Sequence, residues 1–379
     1  MDRKKEVLLL EELLGLKQKG GLFLDERTQS NPVSDYTDPA RFARERSAIF
    51  EHMPLIIAHS SELHGAHSFL RRSILGRPLL LSRGEDGEVR VFLNVCRHRG
   101  TRLVDAESGC KGRHSCPYHG WTWDSAGDFV SAPHFEAGFP GVEKAELGLS
   151  RLPSLERHGF IWLMPPDSEF ELEAFLGEMD QALEWAGTRE LVLHQADTQI
   201  RQCNWKILVE GGIEAYHFRV AHRKTIAPLF NDNLSSYECL GPQPGLHIRS
   251  ILPRSSITEL QGLDRADWNI RAHSNVLLNV FPSTSLLVQS DHVVWISMNP
   301  LAVDRSEVRI ATLKPRESER SPSYWDKNHA FSLHTLNEDF DLGESIQSGL
   351  LSGANHNLRF GRFEGALHRF NETVRACLS

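Results

Sequence analysis

The chain has 379 residues, 40% of them apolar and 24% charged. That length exceeds what one hydrophobic core usually fills and predicts two domains, while a net charge of −8 argues against a nucleic-acid binder, which needs an excess of clustered Lys and Arg. Six cysteines are too few for a disulfide framework in so long a chain, so a clustered pair points to metal binding or catalysis.

In chain order, MDRKKEVLLLEELLGLKQKGG opens with a basic residue run and a short apolar one that Glu11 and Glu12 interrupt. It predicts an amphipathic helix rather than a signal peptide. No apolar run reaches bilayer length, and the expectation is a soluble, cytoplasmic protein without membrane or nucleic-acid partners. RPLLLSRGEDGEVRVFLNVC, from Arg77 to Cys96, predicts two strands around a Gly-Glu-Asp-Gly turn, and GFIWLMP, from Gly159 to Pro165, predicts another. From Glu169 to Trp185 the period changes, with Leu172, Phe175, Leu176, Met179 and Leu183 at helical spacing. A domain boundary is placed just before, after residue 166, giving an N-terminal helical extension over 1–44, a β-rich domain over 45–166 and a larger domain over 167–379. In the last, NWKILVEGGIEAYH predicts a helix, the segments from Ser274 to Pro300 and from Ser306 to Pro315 predict strands, and the chain from Pro322 onward is helical. The fold class is therefore α+β.

The first chemical signal lies in CRHRGTRLVDAESGCKGRHSCPYHGW. Cys96 and His98 are one residue apart, Cys116 and His119 two, and 17 residues separate the pairs. Two short loops with two ligands each can converge on one centre, because only one loop closure remains. Such a set fits either zinc or a [2Fe–2S] cluster with histidines on one iron. Zinc fingers pair cysteine with cysteine, whereas each loop here supplies one cysteine and one histidine, which favours the cluster. Cys110, between the pairs, has no matching role, and Arg97, Arg99 and Arg102 are loop charges that could also dock an acidic electron donor.

With Gly100, Gly120 and Trp121 included, this stretch resembles the cluster motif of the Rieske non-haem iron oxygenases. The resemblance runs from about residue 45 to the C-terminus. It implies a [2Fe–2S] cluster on Cys96, His98, Cys116 and His119, in a Rieske domain followed by a helix-grip catalytic domain of antiparallel sheet and helices.

A Rieske cluster alone activates no substrate, and oxygen-binding Fe(II) centres use two histidines and a carboxylate. NWKILVEGGIEAYHFRVAH resembles the segment in which this family carries its iron histidines, here His217 and His222. Their spacing of five does not share one face of a regular helix, so the helix is expected to loosen after His217. Glu214, three residues before His217 and on the same helical face, matches the acidic residue that carries electrons from a neighbouring subunit's cluster to the iron. The third ligand is sought in LNEDFDLGESIQSGLLSG. At about 100° per residue, Asp339 points about 20° from the stripe of Leu342, Ile346 and Leu350, against about 80° for Glu338 and about 140° for Asp341. Asp339 is the expected ligand, at a position similar to the family's, and Glu338 the fallback.

The resemblance implies a terminal oxygenase component. It would work as a homotrimer in which a neighbour's cluster serves each iron, with electrons from NADH or NADPH arriving through a separate reductase or ferredoxin. The IEAYH spelling, with Glu214, looks most like members that hydroxylate or demethylate quaternary ammonium compounds such as choline, betaine or carnitine. Gly211, Gly212 and Ile213 depart from those members and leave room for a bulkier or aromatic substrate, the alternative being an aromatic ring-dihydroxylating dioxygenase. Trp268, Phe281 and Trp295 are candidates for an aromatic cage by location only. A non-catalytic Rieske electron-transfer protein is the remoter reading, and a zinc-stabilised binding protein a further one.

Overall fold

The computed structural model describes residues 1–166, 170–242 and 245–379. They form two compact units, one over His52–Phe170 and one combining Met1–Glu51 with Glu171–Ser379. The boundary expected after residue 166 abuts residues 167–169, which lie outside the described residues.

The smaller unit is built from short antiparallel strands. Five form a sheet in the order Arg151–Leu152, Val89–Leu93, Arg77–Arg83, Ser68–Ile74 and Ser108–Cys110. Arg77–Arg83 and Val89–Leu93 pair as the Gly-Glu-Asp-Gly turn predicts, with Leu79 opposite Leu93. Three more strands, Arg113–Ser115, Thr122–Asp124 and Phe129–Ser131, form a separate sheet next in sequence to the second cysteine-histidine loop. Beneath both loops lies an aromatic core that includes Phe92, Trp121, Trp123, Phe129 and Phe135.

The larger unit is organised by seven antiparallel strands, in the order Leu191–Arg201, Arg305–Pro315, Val293–Ala302, Thr284–Val288, Ser274–Val280, His247–Pro253 and Ser236–Leu240. Three of these, Leu191–Arg201, Ser236–Leu240 and His247–Pro253, are not anticipated from periodicity. The helix Pro322–Leu351 packs against Leu191–Arg201, Arg305–Pro315 and the helix Trp205–Gly212.

The N-terminal residues belong to this unit rather than forming an extension of their own. Helix Arg3–Gln18 is amphipathic, as expected, and buries Leu9, Leu10, Leu13 and Leu14. Its Glu6 accepts from the Ile270 amide at 2.7 Å, and Lys5 pairs with Glu238. Further on, Glu45 takes Lys206 Nζ at 2.8 and 2.7 Å on its two oxygens, and Trp205 Nε1 donates to it at 3.0 Å. This buried pair ties the segment before residue 51 to the helix that leads into the candidate site.

On the same helix, Glu210 accepts from Tyr36 Oη at 2.6 Å and Asn371 Nδ2 at 2.7 Å. Burial drives its carboxyl from an ordinary 4.5 up to about 7, against the pull of these hydrogen bonds and of Lys206. The folded state therefore holds a proton that the unfolded chain releases. That proton contributes stability which is full below about 4.5 and is lost as pH rises to about 7. Denaturant unfolding of wild type and Glu210→Gln should diverge across this window, with wild type losing stability relative to the variant as pH rises. A difference independent of pH would contradict the protonated state.

Candidate functional site

Cys96 and Cys116 open two loops with the same backbone wiring. The Cys96 amide donates to Thr101 O at 2.8 Å and the Gly100 amide returns to Cys96 O at 3.0 Å. In the second loop Cys116 donates to Trp121 O at 2.7 Å and Gly120 returns to Cys116 O at 3.0 Å. Each closure needs a left-handed residue, and Gly100 and Gly120 supply it with φ of 79° and 70°. Burial pushes the Cys96 thiol up, and the facing amides of His98 and Arg99 oppose it. The imidazoles of His98 and His119 lie 4.7 Å apart, and His98 stacks on Trp121 at 4.7 Å. His98 Nδ1 is buried and has no hydrogen-bond partner.

Two buried thiols, two adjacent imidazoles and an orphaned ring nitrogen make a donor set suited to a two-iron cluster. The other features of this stretch fall outside it. Cys110 is an exposed thiol whose Sγ reaches Ala66 O at 3.5 Å. Arg99 donates to the exposed Tyr118 hydroxyl at 3.2 Å, and Arg102 pairs with Asp105 at 3.3 Å.

In the larger unit the helix Trp205–Gly212, capped by Asn204, ends before the histidines. The break thus precedes His217 instead of following it. Glu214 stands in the connecting turn, not on a helical face, and accepts from the amides of Tyr216 and His217. His217 and His222 then flank the single-turn helix Phe218–Ala221, which brings both rings to one point despite their spacing.

There His217 Nε2 lies 3.1 Å from His222 Nε2, and Asp339 Oδ1 lies 3.3 Å from the first and 2.9 Å from the second. Three donors about 2.1 Å from one ion and meeting at about 90° to 110° would stand about 3.0 to 3.4 Å apart, so the triad fits a divalent metal. The outer nitrogens are held by carboxylates. Glu214 binds His217 Nδ1, and Glu338 Oε2 binds His222 Nδ1 at 2.8 Å while accepting from Thr225 Oγ1 at 2.6 Å. Carboxylates at both Nδ1 atoms favour the tautomer whose Nε2 lone pair faces inward.

The electrostatics agree. Burial works against charge on His217, yet Asp339 and Glu214 outweigh it and hold the imidazole up at about 10. His222 is raised in the same way against burial by Asp339 and Glu338, and the two rings hold Asp339 below its usual range despite its own burial. A site that draws protons onto two neighbouring imidazoles is one that attracts a cation.

Asp339 reaches the triad, but not along the expected stripe. Leu342 and Ile346 are 47% and 46% exposed, and the buried row of helix Pro322–Leu351 runs through Ser332, Thr335, Phe340, Gly343, Gln347 and Leu350. Glu338, the fallback, meets His222 at its outer nitrogen, Nδ1, instead of joining the three inward-facing atoms. The orienting partner Thr225 carries no signal in the sequence.

His222 and Asp339 also border a cavity of about 900 Å³, counting its open mouth, whose walls include Gly211, Gly212, Phe218, Leu277 and Phe331. None of the cage candidates reaches it. Trp268 is buried and donates to Leu260 O at 3.0 Å, Phe281 packs 6.2 Å from Phe370, and Trp295 is buried with the Arg309 guanidinium 4.6 Å over its ring. Gly211 and Gly212, where the sequence departs from the quaternary ammonium members, line the same cavity as His222 and Asp339.

Residues 183–379 match the ring-hydroxylating alpha-subunit catalytic domain, and residues 53–153 match the Rieske [2Fe–2S] domain. The chain belongs to the Rieske oxygenase alpha-subunit family. Among relatives of this alpha subunit, biphenyl 2,3-dioxygenase subunit alpha from Rhodococcus jostii (strain RHA1) is 30% identical over 60% of this chain and 51% of its own. The carnitine monooxygenase oxygenase subunit of Escherichia coli (strain K12) is 34% identical over 56% of this chain and 57% of its own, so these alignments span just over half of each relative. Toluate 1,2-dioxygenase subunit alpha from Pseudomonas putida is 27% identical over 86% and 80%.

Among solved structures, the quaternary ammonium Rieske monooxygenase CntA with L-carnitine has a TM-score of 0.78 at 23% identity, covering 92% of this chain and 96% of that one. Naphthalene 1,2-dioxygenase from Rhodococcus sp. bound to indole has a TM-score of 0.77 at 20% identity, covering 98% of both chains. These likenesses establish the fold, a Rieske domain followed by a catalytic domain of antiparallel sheet and helices. Among the described residues of the alpha subunit, no helix is long and apolar enough to cross a membrane.

Proposed function

We infer that this alpha subunit is the terminal oxygenase of a multicomponent system that uses O2 and electrons from NADH or NADPH to oxidise a small organic substrate. The observation that carries the reading is the convergence of His217, His222 and Asp339 beside an apolar cavity, in a chain that also pairs Cys96 and Cys116 with His98 and His119. His98 and His119, with the two cysteines, would hold the cluster. His217, His222 and Asp339 would hold the iron. Bound there, the two centres supply electron storage and oxygen activation.

The remaining work belongs to the chain's own groups. Glu214 and Glu338 keep the proton of each imidazole on Nδ1, and Thr225 fixes Glu338. The mainly apolar walls would limit the access of bulk water to the reacting carbon. Glu214 is the proposed entry point for electrons. A separate reductase or ferredoxin would deliver them, and a homotrimer would place a neighbour's cluster next to Glu214. This arrangement is supported by the solved quaternary ammonium Rieske monooxygenase, described with inter-subunit electron transfer.

Chemically reduced protein exposed once to ¹⁸O2 with a substrate panel should yield a product carrying the label. Label appearing only in water, across aromatic and N-methyl compounds, would favour a pure electron carrier. Within this reading Glu338→Gln should weaken iron retention about tenfold to hundredfold and leave the cluster absorption unchanged. Full iron loading of that variant under chelator challenge would show that Glu338 does not orient His222.

A further inference from the structure

The two histidines of the smaller unit have unequal surroundings. His98 is enclosed: it stacks on Trp121 at 4.7 Å, and Phe139 stands perpendicular to it at 5.7 Å. Its buried Nδ1, which has no partner, is the atom left for iron. His119 lies instead against Tyr118, with ring centroids 3.7 Å apart, and Tyr118 is 56% exposed. The exposed flank of the imidazole pair is therefore the Tyr118 side.

Arg99 occupies that flank. Its amide faces the Cys96 sulfur in the first loop, and its side chain crosses to the second. There Nη1 donates to the Tyr118 hydroxyl at 3.2 Å, and the guanidinium carbon lies 5.2 Å from the centre of the ring. One residue thus ties both loops together. The other two loop arginines are placed differently. Arg102 is offset by Asp105 at 3.3 Å, and Arg97 turns to Ser150 Oγ at 3.3 Å. Arg99 has no carboxylate partner among the described residues, so its charge stays uncompensated.

We propose that the Arg99–Tyr118 clasp fixes an uncompensated positive charge on the exposed histidine flank and so makes the cluster easier to reduce. This rests on the reading in which Cys96, His98, Cys116 and His119 hold a [2Fe–2S] cluster. Reduction there turns one ferric ion ferrous with an electron from the partner reductase, which is oxidised, and no bond is made or broken. The cluster gains one negative charge, and a cation held nearby stabilises the reduced form more than the oxidised one. Tyr118 is the positioning residue: without its hydroxyl and ring face, the guanidinium would extend into water, where distance and screening weaken the interaction. The effect acts on the cluster whatever the reductant, unlike the docking of an acidic donor.

Redox titration of the purified protein with dithionite and dye mediators, followed by cluster absorption, tests this without any protein donor. Arg99→Gln should lower the ratio of reduced to oxidised cluster at a fixed potential about threefold to tenfold. At about 59 mV per tenfold for one electron, the midpoint falls by about 30 to 60 mV. Tyr118→Leu should shift it the same way by less, and Arg99→Lys, which keeps the charge, should lie nearer wild type than Arg99→Gln. Arg102→Gln combined with Asp105→Asn removes two cancelling charges and should leave the midpoint in place. The Arg99→Gln shift should shrink between about 10 mM and about 1 M salt, as the screening length falls from about 30 to about 3 Å, which a purely structural role would not show. The proposal is overturned if Arg99→Gln leaves the midpoint unchanged or raises it, if its shift is independent of salt, or if the Arg102 and Asp105 double variant shifts it as far. An unchanged midpoint with slower reduction by a protein donor would assign Arg99 to docking instead. Any of these failures in red-brown protein leaves the oxygenase reading standing, whereas wild-type protein without that colour overturns both.

Discussion

Asp339→Ala is expected to abolish turnover while the protein keeps its red-brown colour. Among the described residues, Asp339 Oδ1 is the one carboxylate oxygen within 3.3 Å of both inward-facing imidazole nitrogens. Glu214 and Glu338 already serve the opposite ring edges and cannot replace it without releasing the histidines. With Asp339 gone, two neutral imidazoles remain, too few donors and too little negative charge to retain a divalent ion against dilution. Iron should fall from about three to about two per chain, with sulfide unchanged. The cluster donors are unaffected because all four come from loops of the smaller unit. Retained iron and activity would reject Asp339 as a ligand.

The second large effect concerns stability. Lys206→Met should cost about 3 kcal/mol, because it leaves a buried carboxylate with Arg41, which also serves Asp35, as its remaining charged partner. Glu45 and Lys206 are both fully buried, and the remaining partners of Glu45 would be Trp205 Nε1 at 3.0 Å and Arg41 Nε at 3.2 Å. Burial already lowers the Lys206 ammonium below its ordinary range, although Glu45 pulls the other way. Adding Glu45→Gln to the lysine variant should recover much of the loss, since no uncompensated charge would remain. Urea unfolding monitored by tryptophan fluorescence measures both. A loss below about 1 kcal/mol for Lys206→Met would mean that the pair is not buried in solution.

The chemistry was more legible in the sequence than the architecture that serves it. The cluster loops are local, and each repeats the same cysteine-to-glycine closure within about five residues, so spacing alone carries the signal. His217 and His222 were legible through resemblance, while the reason for their spacing was not. Gly211 and Gly212 mark where the helix ends, and the turn through Glu214 does what a loosened helix after His217 was expected to do.

Asp339 was reached by a faulty route. The buried row of this 30-residue helix is largely polar or small, with Ser332, Thr335, Gly343 and Gln347, so apolar periodicity cannot find it. The chosen row contained the half-exposed Leu342 and Ile346. Asp339 nevertheless lies between the two rows, near enough to the buried row for its short side chain to reach the histidines.

Other features were closed to any local reading. Strand Leu191–Arg201 alternates only weakly in burial because one of its edges is unpaired, so its residues read as mixed. Glu45 looks like a solvated charge in RFARERSAIF, since its partner is 161 residues away. The cavity walls come from strands and helices far apart in the chain, which is why the aromatic residues chosen by position missed it.

Metal analysis of the purified protein bears most directly on the central claim, that one polypeptide holds two separate iron sites. About three irons and two labile sulfides per chain, in a red-brown protein whose third iron is lost in Asp339→Ala, is the result expected. Zinc in colourless material, or two irons with nothing bound at His217 and His222, would contradict it.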